Sequence, residues 1–600
     1  MKAIRTRCLL LVGMLLFLWS GAQAQPGHRT PAAGRAAYPP PAALQRLFPT
    51  LTAYPPPRQL LPDHSRPTTP LAAASCQAAA SPAWVSYYNG PANSYDFGGA
   101  VALGPSGDVY VTGSSANPGN GYSDFATIKY DRQTGRQLWV ARYNGPADSD
   151  DQVRGIAVDA RGDVYVTGYS MTSTFFIADY ATIKYDGRTG RQLWVAYYDG
   201  PAGFDDQPAA IALDPSGNVY VTGSTSNGDF YDYATVKYNG RTGQQLWATV
   251  YDSPYSLGDF ASSVAVGLSG DVYVTGTSAK DASDGLFDIV TLKYDGRTGQ
   301  PLWESRYDGP NNQEDHAGAL VVDVRGDVYL TGSATLKYNG RTGQQLWVAA
   351  SAGWDGRLAL RQLNGLYLTG SSYNGSNADY VTLKLDPRTG QELWRTYYDG
   401  GYDDAATGID VDGPGNVYVT GTSFTSSDED IVTLVYDGNT GQEQWRARYN
   451  GPASNADRAG AVVVDPAGNV YVGGSASVGG PFQFDYVTLK YAPIPNCPRV
   501  AAPAARSAAS PLAAPLALEA FPNPTGADAQ LRCYLPQAGP AELRVYNQLG
   551  RLVGTQTLPP DAPAGWHTLP LPTATLGSGL YTCQLRHHGQ AAQLRLLVQH

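Results

Sequence analysis

The sequence predicts an all-β protein: an eight-bladed β-propeller closed by its N-terminal strand, followed by a small C-terminal β-sandwich. Three observations predict it. The composition, with 68 Gly, 41 Tyr and 11 Trp against 3 Met and only 16% charged residues, suits many short strands joined by tight turns. Tryptophan recurs as Trp84, Trp139, Trp194, Trp247, Trp303, Trp347, Trp394 and Trp445, at intervals of 44 to 56 residues, a period typical of propellers and solenoids. The segments between them carry Val, Ile, Tyr and Thr on both faces, as expected of sheets sandwiched between two neighbours.

In chain order, Lys2, Arg5 and Arg7 precede an apolar run from Cys8 to Trp19 and the small-x-small triplet Ala22-Gln23-Ala24. This is the pattern of a signal peptide over residues 1–24, with cleavage expected before Gln25. The run is too short for a bilayer, which needs ~20 residues, and no later segment is long and apolar enough, so no transmembrane segment is expected in the mature chain. Residues 25–80, rich in Pro and Ala, read as a linker, with Ala-Tyr-Pro-Pro-Pro at both 37–41 and 53–57.

Residues 81–492 form the repeat region. One repeat reads Arg154 to Asp159, Asp163 to Gly168, Asp179 to Tyr185 and Arg191 to Tyr197, which is four strands. Close variants of Val-Tyr-Val-Thr-Gly begin at Val109, Val164, Val219, Val272, Val328, Leu366, Val417 and Val470, so eight blades are expected. The last repeat has its Tyr486 to Tyr491 strand but no tryptophan strand after it, whereas Trp84 to Tyr88 stands alone at the start. The N-terminal strand should therefore complete blade 8, leaving no open sheet edge. Within blades, Asp-Gly-Arg-Thr-Gly and Asp-Pro-Ser-Gly-Asn place Gly where a hairpin requires positive φ. Those two turns fall on one side of the disc. The inter-blade loops and the variable loops between second and third strands fall on the other, which is the expected functional face. Residues 493–516 read as a second Pro/Ala/Ser-rich linker, and residues 517–600 as the β-sandwich.

The formal net charge of −10 arises upstream of the sandwich and argues against nucleic acid as a partner. After cleavage four cysteines remain, Cys76, Cys497, Cys533 and Cys583, which allow three pairings in an oxidising compartment. Cys76 with Cys497 is favoured because they flank the repeats, and Cys533 with Cys583 because both lie in strands of the last domain; unpaired buried thiols are the alternative.

For chemistry, an acid follows each inter-blade loop: Asp96, Asp151, Asp206, Asp259, Asp315, Asp404 and Asp457. Carboxylates converging there could hold Ca²⁺, which prefers several oxygen ligands, with Asp151, Asp206 and Asp404 as the candidates. The structural alternative is that each Asp caps loop N–H groups. A second series, Asp124, Asp179, Asp232, Asp288, Asp379, Asp430 and Asp485, is read as structural. Aromatic residues of the variable loops, Tyr122, Phe175, Phe176, Phe230, Tyr231, Tyr373, Phe424 and Phe482, are either sugar-stacking platforms or packing against the disc. Symmetry breaks near Ser333-Ala334 and Trp354-Asp355 open a notch between blades 5 and 6. His316, the propeller's only histidine, is read as a solvated loop residue. No catalytic residues and no required cofactor are assigned.

These repeats resemble the bacterial β-propeller repeat family called SBBP and, more distantly, the repeats of pyrroloquinoline quinone enzymes. Residues 84–491 carry the first resemblance, which implies a fold but no activity. The C-terminal segment is similar to the type A sorting domain of the type IX secretion system. Its matching residues are Phe521-Pro522-Asn523-Pro524, the Leu543 to Val553 segment with Gly550, and Leu576 to Tyr581 with Gly579. That resemblance implies the secretion machinery as a partner and a secreted or surface-attached product. The expectation is a non-enzymatic binding or scaffold module directed at a polysaccharide or surface protein. An extracellular enzyme, either a quinone-dependent oxidoreductase or a polysaccharide-cleaving enzyme, is the alternative.

Overall fold

The computed structural model describes residues 81–172, 177–254, 257–280, 286–310, 313–361, 365–479 and 483–493 of the repeat region. Beyond it, residues 517–521, 529–535, 537–547, 551–563, 565–571, 576–588 and 590–598 are described. Across the repeats lie eight four-stranded antiparallel sheets. Blade 1 comprises Asp96–Leu103, Val109–Ala116, Ser123–Tyr130 and Gln137–Tyr143, hydrogen-bonded in sequence order, and blades 2 to 7 repeat that order. Blade 8 takes Asp457–Val464, Val470–Ser477 and Phe484–Tyr491 from the end of the repeats and Trp84–Tyr88 from the beginning. The register runs from Trp84 opposite Lys490 to Tyr88 opposite Tyr486, so the N-terminal strand closes the ring as the sequence predicts. No helix among the described residues is long and apolar enough to cross a membrane.

The middle strands are buried on both faces; every residue of Ser123–Tyr130, for instance, is inaccessible or nearly so. Core clusters straddle neighbouring blades. Tyr110, Phe125 and Trp139 of blade 1 pack with Val164, Val166, Ala181 and Ile183 of blade 2, and Tyr88, Tyr471 and Tyr486 of blade 8 pack with Val109, Val111 and Ile128 of blade 1. The threonine of the Val-Tyr-Val-Thr-Gly strand meets a threonine of the next strand, as in Thr112 with Thr127 at 2.9 Å and Thr222 with Thr235 at 2.9 Å. The pairing satisfies hydroxyls that burial would otherwise strand.

Five of the blade junctions are each fastened by one carbonyl. The Gly240 carbonyl of blade 3 accepts from Lys184 Nζ at 3.0 Å, Trp194 Nε1 at 3.1 Å and the Tyr165 hydroxyl at 3.2 Å, all from blade 2. Gly187, Gly296, Gly340 and Gly438 receive the same three donors from their preceding blades. The recurrent Trp, Lys and Tyr are thus interlocking parts. The predicted turns are present: Gly190 has φ +74° and Gly217 has φ +83°, and Asp186 Oδ1 accepts the amide of Thr189 at 2.8 Å.

The C-terminal residues form a sandwich. One sheet orders Ala517–Phe521, Ala529–Leu535 and Gly565–Leu571; the other orders Leu552–Leu558, Ala541–Tyr546, Gly579–His587 and Gln590–Val598. Its core includes Leu531, Leu543, Val545, Leu585 and Leu596, together with Cys533 and Cys583. Here the expected bridge is corrected. Cys533 and Cys583 lie in different sheets and are both free, filling the core as small apolar side chains. Burial pushes their thiols up to about 11 and about 12. Cys76 and Cys497 fall outside the described residues, as do Pro522, Asn523, Pro524 and Gly550 of the sorting motif. Of the remaining motif residues, Gly579 begins a strand and Tyr581 donates its hydroxyl to the Gly577 carbonyl at 2.9 Å.

Candidate functional site

Each acid that follows an inter-blade loop turns back to hold that loop. Asp96, Asp151, Asp206, Asp315 and Asp404 accept, through Oδ2, the amide of Gly90, Gly145, Gly200, Gly309 and Gly400 at 2.5 to 2.6 Å. Asp259 takes the Ser253 amide at 2.8 Å, and Asp457 takes that of Gly451. The capping role weighed from the sequence is therefore real at seven junctions. Capping occupies one oxygen only; Oδ1 of Asp96, Asp151, Asp206, Asp259 and Asp404 is buried with no hydrogen-bond partner.

The third-strand acids differ from blade to blade, and the difference follows the residue two places before the inter-blade loop acid or amide. In blades 1, 4 and 7 that residue is arginine: Arg142 pairs with Asp124 at 2.9 Å, Arg306 with Asp288 at 3.2 Å, and Arg448 with Asp430 at 2.5 Å. In blades 2, 3 and 6 it is Tyr197, Val250 and Tyr397, and the loop residue is Asp199, Asp252 and Asp399. There, three carboxylates converge, with an oxygen of each within 4.8 Å of the others: Asp179, Asp199 and Asp206; Asp232, Asp252 and Asp259; Asp379, Asp399 and Asp404. A fourth group, Asp288, Asp308 and Asp315, is neutralised in part by Arg306 and by Lys280, which pairs with Asp308.

Of the Ca²⁺ candidates named from the sequence, Asp206 and Asp404 stand in such groups. Asp151 does not, because its loop supplies Asn144 and Arg142 engages Asp124. Burial raises the protonation range of these acids. Burial, then Asp199 and Asp206, push Asp179 up to about 7. Burial, then Asp252 and Asp259, do the same for Asp232. Asp151 and Asp457 also reach about 7 through burial, Asp206 and Asp404 about 6.

The same face collects the exposed aromatic rings. Among the described residues of the propeller, those are Tyr87, Phe97, Tyr122, Tyr197, Phe204, Tyr373, Tyr397 and Tyr402. All lie in the inter-blade or second-to-third-strand loops, or in the strand ends next to them. Exposed aliphatics sit elsewhere: Leu138, Leu193, Leu246, Leu302, Leu346 and Leu393 in outer strands, Leu268 and Val324 in turns of the opposite face. Sequence reasoning found Tyr122 and Tyr373 and missed the other six. Of its remaining aromatics, Phe230, Tyr231 and Phe424 are half-buried, Tyr231 donating to Asp205 at 2.8 Å, and Phe175, Phe176 and Phe482 lie outside the described residues.

At the notch, Ser333 alone joins the second and third strands of blade 5, and the Ser351 hydroxyl lies 2.5 and 2.6 Å from the Gly332 and Gly353 carbonyl oxygens, to which it can donate its one proton in turn. His316 is exposed, 3.7 Å from Glu314.

The profile of the family described as outer membrane protein assembly factor BamB matches residues 77–280, 210–364 and 377–479. Among curated proteins none matches. Solved structures similar to the chain include the quinohemoprotein alcohol dehydrogenase from Comamonas testosteroni, 14% identical over 68% of this chain and 76% of that one, with a TM-score of 0.46. The computationally designed Ika8 protein is 15% identical over 66% of this chain and 97% of its own, with a TM-score of 0.41. Sqt1 from Chaetomium thermophilum is 11% identical over 68% and 98%, with a TM-score of 0.44.

Proposed function

The chain belongs to the repeat family described as outer membrane protein assembly factor BamB, and from that premise we propose that its propeller is a non-enzymatic binding or scaffold module. The observation that carries this reading is the segregation of all eight exposed aromatic rings among the described residues of the propeller onto the face that also bears the carboxylates. A sugar chain offers apolar C–H faces that stack on rings and hydroxyls that donate to carboxylates, so a polysaccharide is the ligand this face suits best. A surface protein is the other partner class, in keeping with the assembly role in the family's description. In this reading Ca²⁺ is a structural ion of the acidic groups and takes no catalytic part.

The reading extends to the ends of the chain as the sequence suggests. Residues 1–24 direct export, the C-terminal sandwich engages type IX secretion machinery as an SBBP-type repeat protein's sorting domain, and the product is secreted or attached to the outer cell surface.

The test is affinity electrophoresis of the full chain through gels containing different polysaccharides, comparing it with the triple variant Phe204→Ala, Tyr373→Ala, Tyr402→Ala. All three side chains are exposed, so the thermal midpoint should hold while retardation falls by about tenfold in affinity, equivalent to ~1.4 kcal/mol. Retardation that is equal in the variant would remove the stacking face. A quinone-dependent rise in midpoint with turnover of an alcohol would replace the binding module by an oxidoreductase.

A further inference from the structure

The side of the disc opposite the aromatic rings is built from short turns, and the turn between first and second strands varies between blades at its tip. Its backbone is the same throughout. The Gly107 amide donates to the Gly104 carbonyl at 2.8 Å in blade 1 and Gly162 to Asp159 at 2.9 Å in blade 2. In blades 4 and 5, Gly270 donates to Gly267 at 2.8 Å and Gly326 to Asp323 at 2.9 Å, and all four glycines have φ between +81° and +89°. The second residue of this turn is Pro105, Ala160, Pro215, Gly413 and Pro466 in blades 1, 2, 3, 7 and 8, but Leu268 in blade 4 and Val324 in blade 5. Leu268 is 70% exposed, more than any other large apolar side chain described, and Val324 is 56% exposed. A turn that closes equally well on proline or alanine does not need these aliphatics. Isolated apolar residues on a surface are ordinary; here two of them crown neighbouring blades at a position the other described blades fill with Pro, Ala or Gly.

The two tips stand among positive charge that has no local counter-ion. Arg325 follows Val324, and Arg297 and Arg341 lie in the third-to-fourth-strand turns packed beside the tips. A Cβ on Gly296 would meet the Gly270 carbonyl oxygen at 1.7 Å, and one on Gly340 the Gly326 oxygen at 1.5 Å, so each pair of turns is in contact. All three arginines are exposed, and none forms a salt bridge among the described residues. The neighbouring acids are engaged elsewhere. Asp271 pairs with Lys293 at 2.9 Å and Asp327 with Lys337 at 3.0 Å. Asp323 accepts the Tyr329 hydroxyl at 3.2 Å and the Arg325 amide at 2.8 Å, and Asp295 accepts the amides of Arg297 and Thr298 at 3.0 and 2.8 Å. Arg188, Arg241 and Arg388 hold the same turn position in blades 2, 3 and 6. Positive charge thus runs along this side of a chain whose net charge is −10, while the apolar tips are confined to blades 4 and 5.

We propose that the turns of blades 4 and 5 form a docking wedge for an anionic lipid bilayer, with Leu268 and Val324 entering the acyl boundary and Arg297, Arg325 and Arg341 meeting headgroup phosphates. Guanidinium groups bracketing aliphatic tips match a surface that layers phosphate over hydrocarbon. The tips are projecting turns, and among the described residues this side has no exposed aromatic ring. A protein interface centres instead on aromatic or arginine anchors seated in desolvated pockets. Docking through this side directs the aromatic and acidic face away from the bilayer, so the assignment is independent of the polysaccharide reading and survives its failure.

The test is flotation of the chain from Gln25 onward, which keeps every described residue and omits the apolar run Cys8 to Trp19 that would bind lipid by itself. Vesicles of equimolar phosphatidylcholine and phosphatidylglycerol are compared with phosphatidylcholine alone. The chain should float with the anionic vesicles, stay behind with the neutral ones, and be released in about 1 M NaCl, where the screening length is about 3 Å. Leu268→Pro with Val324→Ala installs the turn residues of blades 1 and 2 and should weaken binding about tenfold at an unchanged thermal midpoint. Arg297→Asn with Arg341→Asn installs the blade 7 residue, Asn439, and should weaken binding by a similar factor. No flotation, equal flotation with neutral vesicles, or flotation that the Leu268, Val324 pair leaves unchanged would overturn the wedge. So would a lipid-free mass in light scattering that falls when those two residues are replaced, which would assign the tips to a second copy of the chain.

Discussion

Aspartate does two jobs in this ring, and the residue scale shows how. An acid that caps a loop amide with one oxygen leaves the second oxygen buried, and desolvation then favours the protonated form. Asp151 and Asp457, both pushed up to about 7 by burial, carry this cost without belonging to a three-acid group. Their unfolded-chain value is about 4, so the folded state binds the proton more tightly; the stability so supplied is full below pH ~4 and lost as pH rises through ~7. In metal-free buffer the thermal midpoint should therefore fall across that window, and Asp151→Asn should flatten part of the fall. A midpoint that climbs from pH 4 to 7 would contradict this account. Asp206 and Asp404 were legible in the sequence because they repeat in register. Their partners Asp199 and Asp399 were not singled out, although the contrast of Tyr-Asp-Gly with Arg-Tyr-Asn-Gly was there to be read. That contrast gains meaning only when the loop residue is seen beside acids of two different blades.

At the scale of the element, five of the blades are each held to the next by side chains converging on one turn carbonyl, and in blade 2 the converging lysine is itself paired. Lys184 Nζ lies 3.0 Å from the Gly240 carbonyl, 2.9 Å from Asp163 and over the Tyr165 ring at 4.8 Å from its centre. Lys184→Met keeps the stem and removes the charge, leaving Asp163 and the carbonyl short of a donor. We expect a loss of roughly 1–3 kcal/mol in denaturant unfolding, with Trp194→Phe, which removes one donor to the same carbonyl, costing about 1 kcal/mol. Equal stability of the parent and Lys184→Met would show the lysine to be ornamental to the joint. The repeated Thr-Ile-Lys-Tyr segment was readable as a strand, since its apolar pattern is local. The purpose of its lysine was not, because the accepting carbonyl lies 56 residues further along the chain.

The whole molecule depends on one strand from the far end of the repeats. Trp84–Tyr88 supplies the outer strand of blade 8, and Lys490 and Trp84 both reach the Arg132 carbonyl of blade 1 across the seam, at 2.7 and 3.3 Å. Deleting residues 81–90 should leave Phe484–Tyr491 as an unpaired edge and open a path to edge-to-edge association. Light scattering after size exclusion should show the truncated chain as oligomers where the parent is a single smaller species; an unchanged mass would mean the seam is held without that strand. The sequence by itself determined the class, the blade number, the closure and the turns, because each rests on period, alternation and glycine placement within one repeat. Only the tertiary structure decided which acids meet, that eight aromatic rings share one face, and that Cys533 and Cys583 stay apart as thiols. Those outcomes arise where residues distant along the chain meet across blades or sheets, and the spacing of residues along one strand carries no record of that.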